Sequence, residues 1–276
     1  MSSYTQSLQR HLAAYKASRL GVKESGTFVR NGRERHYAHI LPKELRWLNV
    51  LEQIRTEVRE YLELHPEVKS HKYFHHLNSS QAFAINLFFP YFEQGAPSAL
   101  LQAMGLSGEF AGWQPEHIAD ISEGTNVDVM WHAPSGAKTY CEVKLSEQEF
   151  GVARDDRRHR QKLDEIYKPV LFGQCAPELL EPRIFFAHYQ LLRNVWLAAR
   201  EPDASVVFLA PRANTALWSQ LNPFIKQLAP SLRRRVHAVA IEDVLAQLVS
   251  SQKVPPQLAW YALLLQEKYV VSSAAG

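Results

Sequence analysis

Residues 126–145 constrain this chain more than any other stretch, because they join an alternating pattern to a turn that sets its register. Successive strand residues point to opposite faces. On a first strand Val127, Val129 and Trp131 share one face, and Asn126, Asp128 and Met130 share the other. On a second strand Cys141, Val143 and Leu145 share one face, and Tyr140, Glu142 and Lys144 the other. The spacing predicts an apolar face and an opposite face that collects Asp128, Glu142 and Lys144. Between the strands, Ala133-Pro134-Ser135-Gly136-Ala137 fits a three-residue hairpin loop. Pro134 suits the first central position of a type I turn, and Gly136 the left-handed position after it. Pairing Ala133 with Ala137 then sets Asp128 directly across from Glu142, with Cβ atoms roughly 5 Å apart. Lys144 faces Asn126, one step along.

Two carboxylates opposed on neighbouring strands repel each other, so the arrangement needs a reason. A divalent cation supplies one, since Mg²⁺ takes oxygen ligands and commonly only one or two carboxylates. It also retains water that can attack a phosphate. Lys144 would add positive charge where negative charge develops, or help position or deprotonate that water. These parts suit metal-assisted phosphodiester hydrolysis. The competing reading is a solvated sheet face with a salt bridge between Lys144 and a carboxylate. The Glu-x-Lys tripeptide alone does not separate the two.

Around the hairpin, short β-rich segments at 118–121, 127–131 and 138–145 predict the centre of a sheet, with further strands at 205–209 and 236–241. Leu45, Leu48, Leu51, Ile54, Val58, Tyr61 and Leu62 predict an amphipathic helix over 43–64, ended by Pro66. A second helix begins near Asn78-Ser79-Ser80-Gln81, and its apolar run to Phe92 predicts deep burial. Further helices are expected at 1–19, 148–167, 183–199, 213–228, 242–249 and 256–268. Residues 21–42, with a charged run at Arg30, Arg33, Glu34 and Arg35, read as a loop or short hairpin. The tail at 271–276 is expected to fray. This mixture predicts an α/β architecture. With 276 residues, one large α/β domain is the simpler expectation.

A net charge of +3 and a pI near 8.8 permit nucleic acid as a partner without demanding it. The two cysteines, Cys141 and Cys175, match no zinc spacing, and Cys141 reads as a small buried hydrophobe. His71, His75 and His76 lack further ligands nearby, so surface histidines are the expectation. No apolar leader is read at the N-terminus, and no stretch reaches the roughly 18 apolar residues of a membrane span. A cytoplasmic protein is expected.

Asp128 followed by Glu142-Val143-Lys144 at a strand end resembles the signature of the PD-(D/E)XK nuclease superfamily, the restriction-endonuclease-like fold. Two further segments resemble an uncharacterised prokaryotic branch of it: Leu77-Asn78-Ser79-Ser80-Gln81-Ala82-Phe83-Ala84-Ile85-Asn86-Leu87 and His188-Tyr189-Gln190-Leu191-Leu192-Arg193-Asn194. The similarity runs from about Gly26 to about Leu248. Val127 stands where the family often has proline. The resemblance implies a mixed central β-sheet flanked by helices. Here the expectation is an N-terminal helical extension over 1–76 and a nuclease-like core over 77–276. It implies Mg²⁺, with Mn²⁺ able to substitute, held by Asp128, Glu142 and the Val143 backbone carbonyl. Lys144 would stand near the attacking water. Candidates for an accessory ligand are Gln81, Glu93 and Glu123. The implied activity is endonucleolytic, on nucleic acid and above all double-stranded DNA, with a restriction role and a homodimer as further expectations. Arg154, Arg157, Arg158, Arg160 and Lys162 on the 148–167 helix would contact phosphates. The alternative is an inactive nucleic-acid-binding or protein-interaction domain that kept the fold.

Overall fold

The computed structural model describes residues 3–30, 32–121 and 123–271. Two compact units divide the chain: Met1–Gly108 with Ile241–Gly276, and Glu109–Ala240. The boundary expected at residue 77 falls inside the first of them. Residues 272–276 of the expected frayed tail lie outside the described residues.

The first unit holds α1 (Ser3–Arg19), a two-stranded ribbon of β1 (Gly26–Arg30) and β2 (Arg33–Tyr37), α2 (Arg55–Leu64), α3 (Ser80–Glu93), α4 (Pro97–Ala103), α11 (Ile241–Ser250) and α12 (Pro256–Tyr269). Ser79 caps α3 as expected, its side chain accepting from the Ala82 N–H. Every residue from Gln81 to Phe92 is buried. The helix expected over 43–64 is corrected. Short 3₁₀ turns occupy Lys43–Asn49 and Glu52–Ile54, and the α-helix begins only at Arg55. Asn86 is the cause. Its Oδ1 accepts from the Leu51 N–H at 2.8 Å, and its Nδ2 donates to the Asn49 carbonyl at 2.9 Å. These bonds take backbone groups that a continuous helix would use, and Val50 and Leu51 become extended.

The second unit is built on β3 (Gly112–Asp120), β4 (Thr125–His132), β5 (Lys138–Val143), β6 (Ser205–Ala210) and β7 (Val236–Ala240), in spatial order β3-β4-β5-β6-β7. β3, β4 and β5 are antiparallel neighbours, whereas β5–β6 and β6–β7 are parallel. Parallel strands need a long crossover. That between β5 and β6 carries α5 (Arg157–Lys162), a π-helical turn (Leu163–Tyr167), α6 (Lys168–Leu171), α7 (Pro182–Ala187) and α8 (Tyr189–Arg200). Between β6 and β7 lie α9 (Thr215–Lys226) and α10 (Pro230–Arg233). The mixed central sheet flanked by helices is the arrangement that the resemblance implied. Leu191, Leu192, Val195 and Trp196 of α8 share one core with Met130, Tyr140, Val206 and Phe208 of the sheet.

Three local expectations change here. β3 reaches back to Gly112, although Gly112 and Pro115 look like strand breakers in sequence. The helix expected over 183–199 is interrupted at His188, which leaves the helical region with φ −115° and ψ 24°. The charged helix expected from 148 begins only at Arg157. Asp156 caps it by accepting from the His159 N–H at 2.9 Å, and residues 148–156 form a loop. Among the described residues, no helix is long and apolar enough to cross a membrane.

Candidate active site

The β4–β5 hairpin has the register that its turn predicts. Val129 pairs with Cys141, Met130 with Tyr140, Trp131 with Thr139 and His132 with Lys138. The Ala133 N–H donates to the Ala137 carbonyl at 2.9 Å, and Gly136 takes φ 86°, a conformation that side chains disfavour. One step beyond the last paired rung, Asp128 and Glu142 come opposite each other. There the ladder changes partners. The Val143 N–H donates to Asp128 Oδ2 at 2.7 Å rather than to backbone, so the expected backbone ligand is tied through its own amide to the first carboxylate.

The site face is only partly solvated: Asn126 is exposed, Asp128 and Lys144 are half-buried and Glu142 is buried. Met130 and Tyr140 on that face are buried, and so are Val129, Cys141 and Val143 on the other. The salt bridge of the competing reading is present but enclosed. Lys144 Nζ lies 3.0 Å from Glu142 Oε1, with the two side chains 11% and 6% exposed. Central strands covered on both faces carry apolar residues at successive positions, which blurs any sorting into a wet and a dry side.

Glu142 is held from α8. Gln190 Nε2 donates to its Oε1 at 2.6 Å, and Asn194 Nδ2 donates to its Oε2 at 3.1 Å. Residues four apart lie on one helix face, so the two amides grip the two oxygens of one carboxylate. Gln190 also orders the loop after β5. Its Oε1 accepts from the Gly151 N–H at 2.8 Å, and its backbone N–H donates to the Gly151 carbonyl at 2.9 Å. In the same loop Glu147 Oε2 accepts from the Leu145 and Ser146 N–H groups at 2.8 and 2.9 Å.

The electrostatics follow from this enclosure. Burial, then the charge of Glu142, then that of Glu116, push the Asp128 carboxyl well above the ordinary aspartate range, against the Val143 hydrogen bond and Lys144. Burial alone would lower the Lys144 pKa. Glu142, Glu147 and Asp128 outweigh it and raise the value, so the group stays an ammonium at neutral pH. Glu116 stands on β3 between Pro115, paired with Val129, and His117, paired with Val127. It takes φ 50°, a backbone cost for a residue with a side chain. Among the described residues, no three His, Cys, Asp or Glu side chains converge as a ligand set. The two opposed carboxylates nevertheless suit Mg²⁺, which keeps several waters and needs few protein ligands.

A family model described as restriction endonuclease associating with ARP matches residues 9–270. The chain belongs to this REase-ARP family. No curated protein and no solved structure matches it significantly. The REase-ARP match spans nearly the whole chain and includes the hairpin, the Gln81 helix and the Gln190–Asn194 helix.

Within this REase-ARP chain the other sequence candidates divide. Gln81 and Glu93 belong to the first unit. The Gln81 amide is engaged there, accepting from the His71 N–H at 2.7 Å and donating to the Lys69 carbonyl at 3.0 Å. Glu93 is exposed at the end of α3. Glu123 is buried with its own partners. Lys162 Nζ donates to its carbonyl at 2.7 Å and to its Oε1 at 3.0 Å, and the Tyr189 hydroxyl donates to that Oε1 at 2.6 Å. Lys162 is therefore already paired within the protein. Arg160 is exposed and forked onto Asp155, an exposed pair that a phosphate could displace at small cost. Arg154 stands in the loop before α5 rather than on a helix. With Arg157 and Arg158 it is exposed and makes no ion pair among the described residues. Gln190, Asn194, Glu147 and Glu116 were not singled out from sequence. The one signal was the His188–Asn194 segment, with its two amides four residues apart.

Proposed function

We propose that this REase-ARP protein is a Mg²⁺-dependent endonuclease that hydrolyses phosphodiester bonds of double-stranded DNA, with Asp128, Glu142 and Lys144 as its catalytic centre. The observation that carries the reading is a mutually repelling carboxylate pair, Glu142 buried and Asp128 half-buried, with an ammonium 3.0 Å from Glu142. Burying like charges is costly unless they are compensated, and a divalent cation would compensate them.

Asp128, Glu142 and the Val143 carbonyl would hold the ion. When bound, it would supply Lewis-acid polarisation of the phosphate and a more acidic water. The remaining work belongs to the chain. Gln190 and Asn194 fix the orientation of Glu142, and the Val143 N–H fixes that of Asp128. Lys144 would supply positive charge toward developing negative charge, or help position or deprotonate the water. Arg154, Arg157 and Arg158 supply exposed charge for the phosphate backbone. A two-fold dimer would present one such centre to each strand. A restriction role accords with the family's description.

Incubating wild-type protein with supercoiled plasmid and linear duplex in Mg²⁺, Mn²⁺ or EDTA tests the reading. Nicking and linearisation in either metal, and none in EDTA, are expected. Salt-dependent binding without cutting would point instead to an inactive binding domain. Gln190→Ala is expected to lower metal affinity or cleavage about 10–100-fold, as loss of a group orienting a metal ligand does. A Mn²⁺ titration of the variant, beside its cleavage rate, checks this.

A further inference from the structure

The β1–β2 ribbon belongs to the first unit. Its rungs pair Gly26 with Tyr37, Thr27 with His36, Phe28 with Arg35, Val29 with Glu34 and Arg30 with Arg33. Alternation sets Phe28, Arg33, Arg35 and Tyr37 on one face. At the base that face is anchored. The Phe28 ring meets Tyr73 at 5.1 Å and His76 at 5.4 Å. The Gly26 N–H donates to the Ile40 carbonyl at 2.9 Å, and a Cβ at Gly26 would fall 2.2 Å from the Leu41 oxygen. Toward the turn the anchoring stops. Val29, Arg33, Glu34, Arg35 and His36 are exposed, and neither Arg33 nor Arg35 makes an ion pair among the described residues. A lone hairpin is marginal in water, yet this one is held firmly at its base and presents its charges outward.

We propose that the ribbon is a duplex-DNA contact that enters the major groove, with Arg33 and Arg35 meeting the phosphates or guanine edges. The inference rests on the DNA reading above. Its warrant is charge and shape. Residues 26–37 carry three arginines against one glutamate. The major groove, roughly 12 Å wide, admits a two-stranded ribbon. Residues two apart on a strand lie about 6.8 Å apart, matching two steps of about 3.4 Å along a DNA strand. The arginine fork suits both phosphate and guanine.

The test compares the full wild-type chain with the double variant Arg33→Ala/Arg35→Ala, by fluorescence anisotropy on a short duplex in EDTA across a salt series. Both side chains are exposed and make no ion pair among the described residues, so the two melting curves should coincide and report an intact fold. The expected result is at least a tenfold loss of affinity at low salt. The dependence of log K on log salt should be shallower by about 2, near 0.9 for each phosphate contact removed. Equal affinity and slope would overturn the ribbon assignment, and so would failure of both proteins to bind. Mg²⁺-dependent cutting by the wild type is scored separately. Cutting with an unaffected variant removes the ribbon and keeps the nuclease. Lost binding in the variant without cutting by the wild type keeps the ribbon and removes the nuclease.

Discussion

Replacing Asp128 by asparagine is expected to abolish cleavage and, at the same time, to raise the thermal stability of the metal-free protein. The aspartate is half-buried, and its loss of solvation, Glu142 and Glu116 together hold its pKa well above the ordinary range. A folded-state acid with a raised pKa binds its proton more tightly than the unfolded chain does. The metal-free protein therefore loses stability as pH rises from the unfolded aspartate pKa through the raised folded value. Asparagine carries no charge, and its carbonyl oxygen can still accept the Val143 N–H. Exchanging a poorly compensated, half-buried charge for a neutral group of similar shape should raise stability, at roughly 2–4 °C of melting temperature per kcal/mol gained for a protein of this size. The gap between variant and wild type should be small in acid and widen as pH rises. Mg²⁺ should stabilise the wild type, more so at higher pH because binding expels a proton, and should leave the variant unmoved. Melting curves in EDTA and in Mg²⁺ between pH 5 and 9 decide the matter. A variant less stable than wild type in EDTA, or equal Mg²⁺ shifts in both, would count against the arrangement.

Glu142→Ala is expected to move stability the other way. Glu142 is the acceptor for Lys144 and for both amides of α8. Truncation leaves an ammonium and two amide groups without their acceptor in an enclosed site, and removing one partner of a buried ion pair costs about 3–5 kcal/mol. Glu142→Gln, which keeps an oxygen acceptor, should recover part of the stability and none of the cleavage. Calorimetry of the two variants beside Asp128→Asn separates the roles. One carboxylate strains the metal-free site and the other holds it together. An alanine variant that melts with the wild type would contradict this.

The hairpin was legible in sequence because its determinants are local. A three-residue turn with Pro134 and Gly136 leaves one register that pairs Ala133 with Ala137, and that register brings Asp128 to Glu142. The strands at 205–210 and 236–240 were legible for a related reason, since short apolar runs bounded by turn residues suit buried parallel strands. What escaped was non-local. Gln190 and Asn194 meet Glu142 across 48 and 52 residues of chain, and nothing in α8 by itself says which carboxylate its amides face. Lys162 belongs to a basic run, yet Glu123, 39 residues earlier, takes its ammonium. The helix expected over 43–64 has the right apolar spacing but loses its first turns to the Asn86 amide of α3. A tertiary hydrogen bond outweighed helical periodicity there.

The most direct measurement is cleavage of supercoiled plasmid by wild type and Lys144→Ala, side by side in Mg²⁺, Mn²⁺ and EDTA. In the variant Glu142 keeps both amide donors, so the fold should survive, as matching circular dichroism spectra would show. The expected result is metal-dependent cutting by the wild type and a rate at least about 10²–10³-fold lower in the variant, the loss seen when one donor to a transition-state anion is removed. Cutting by Lys144→Ala at the wild-type rate would contradict the assignment of the site.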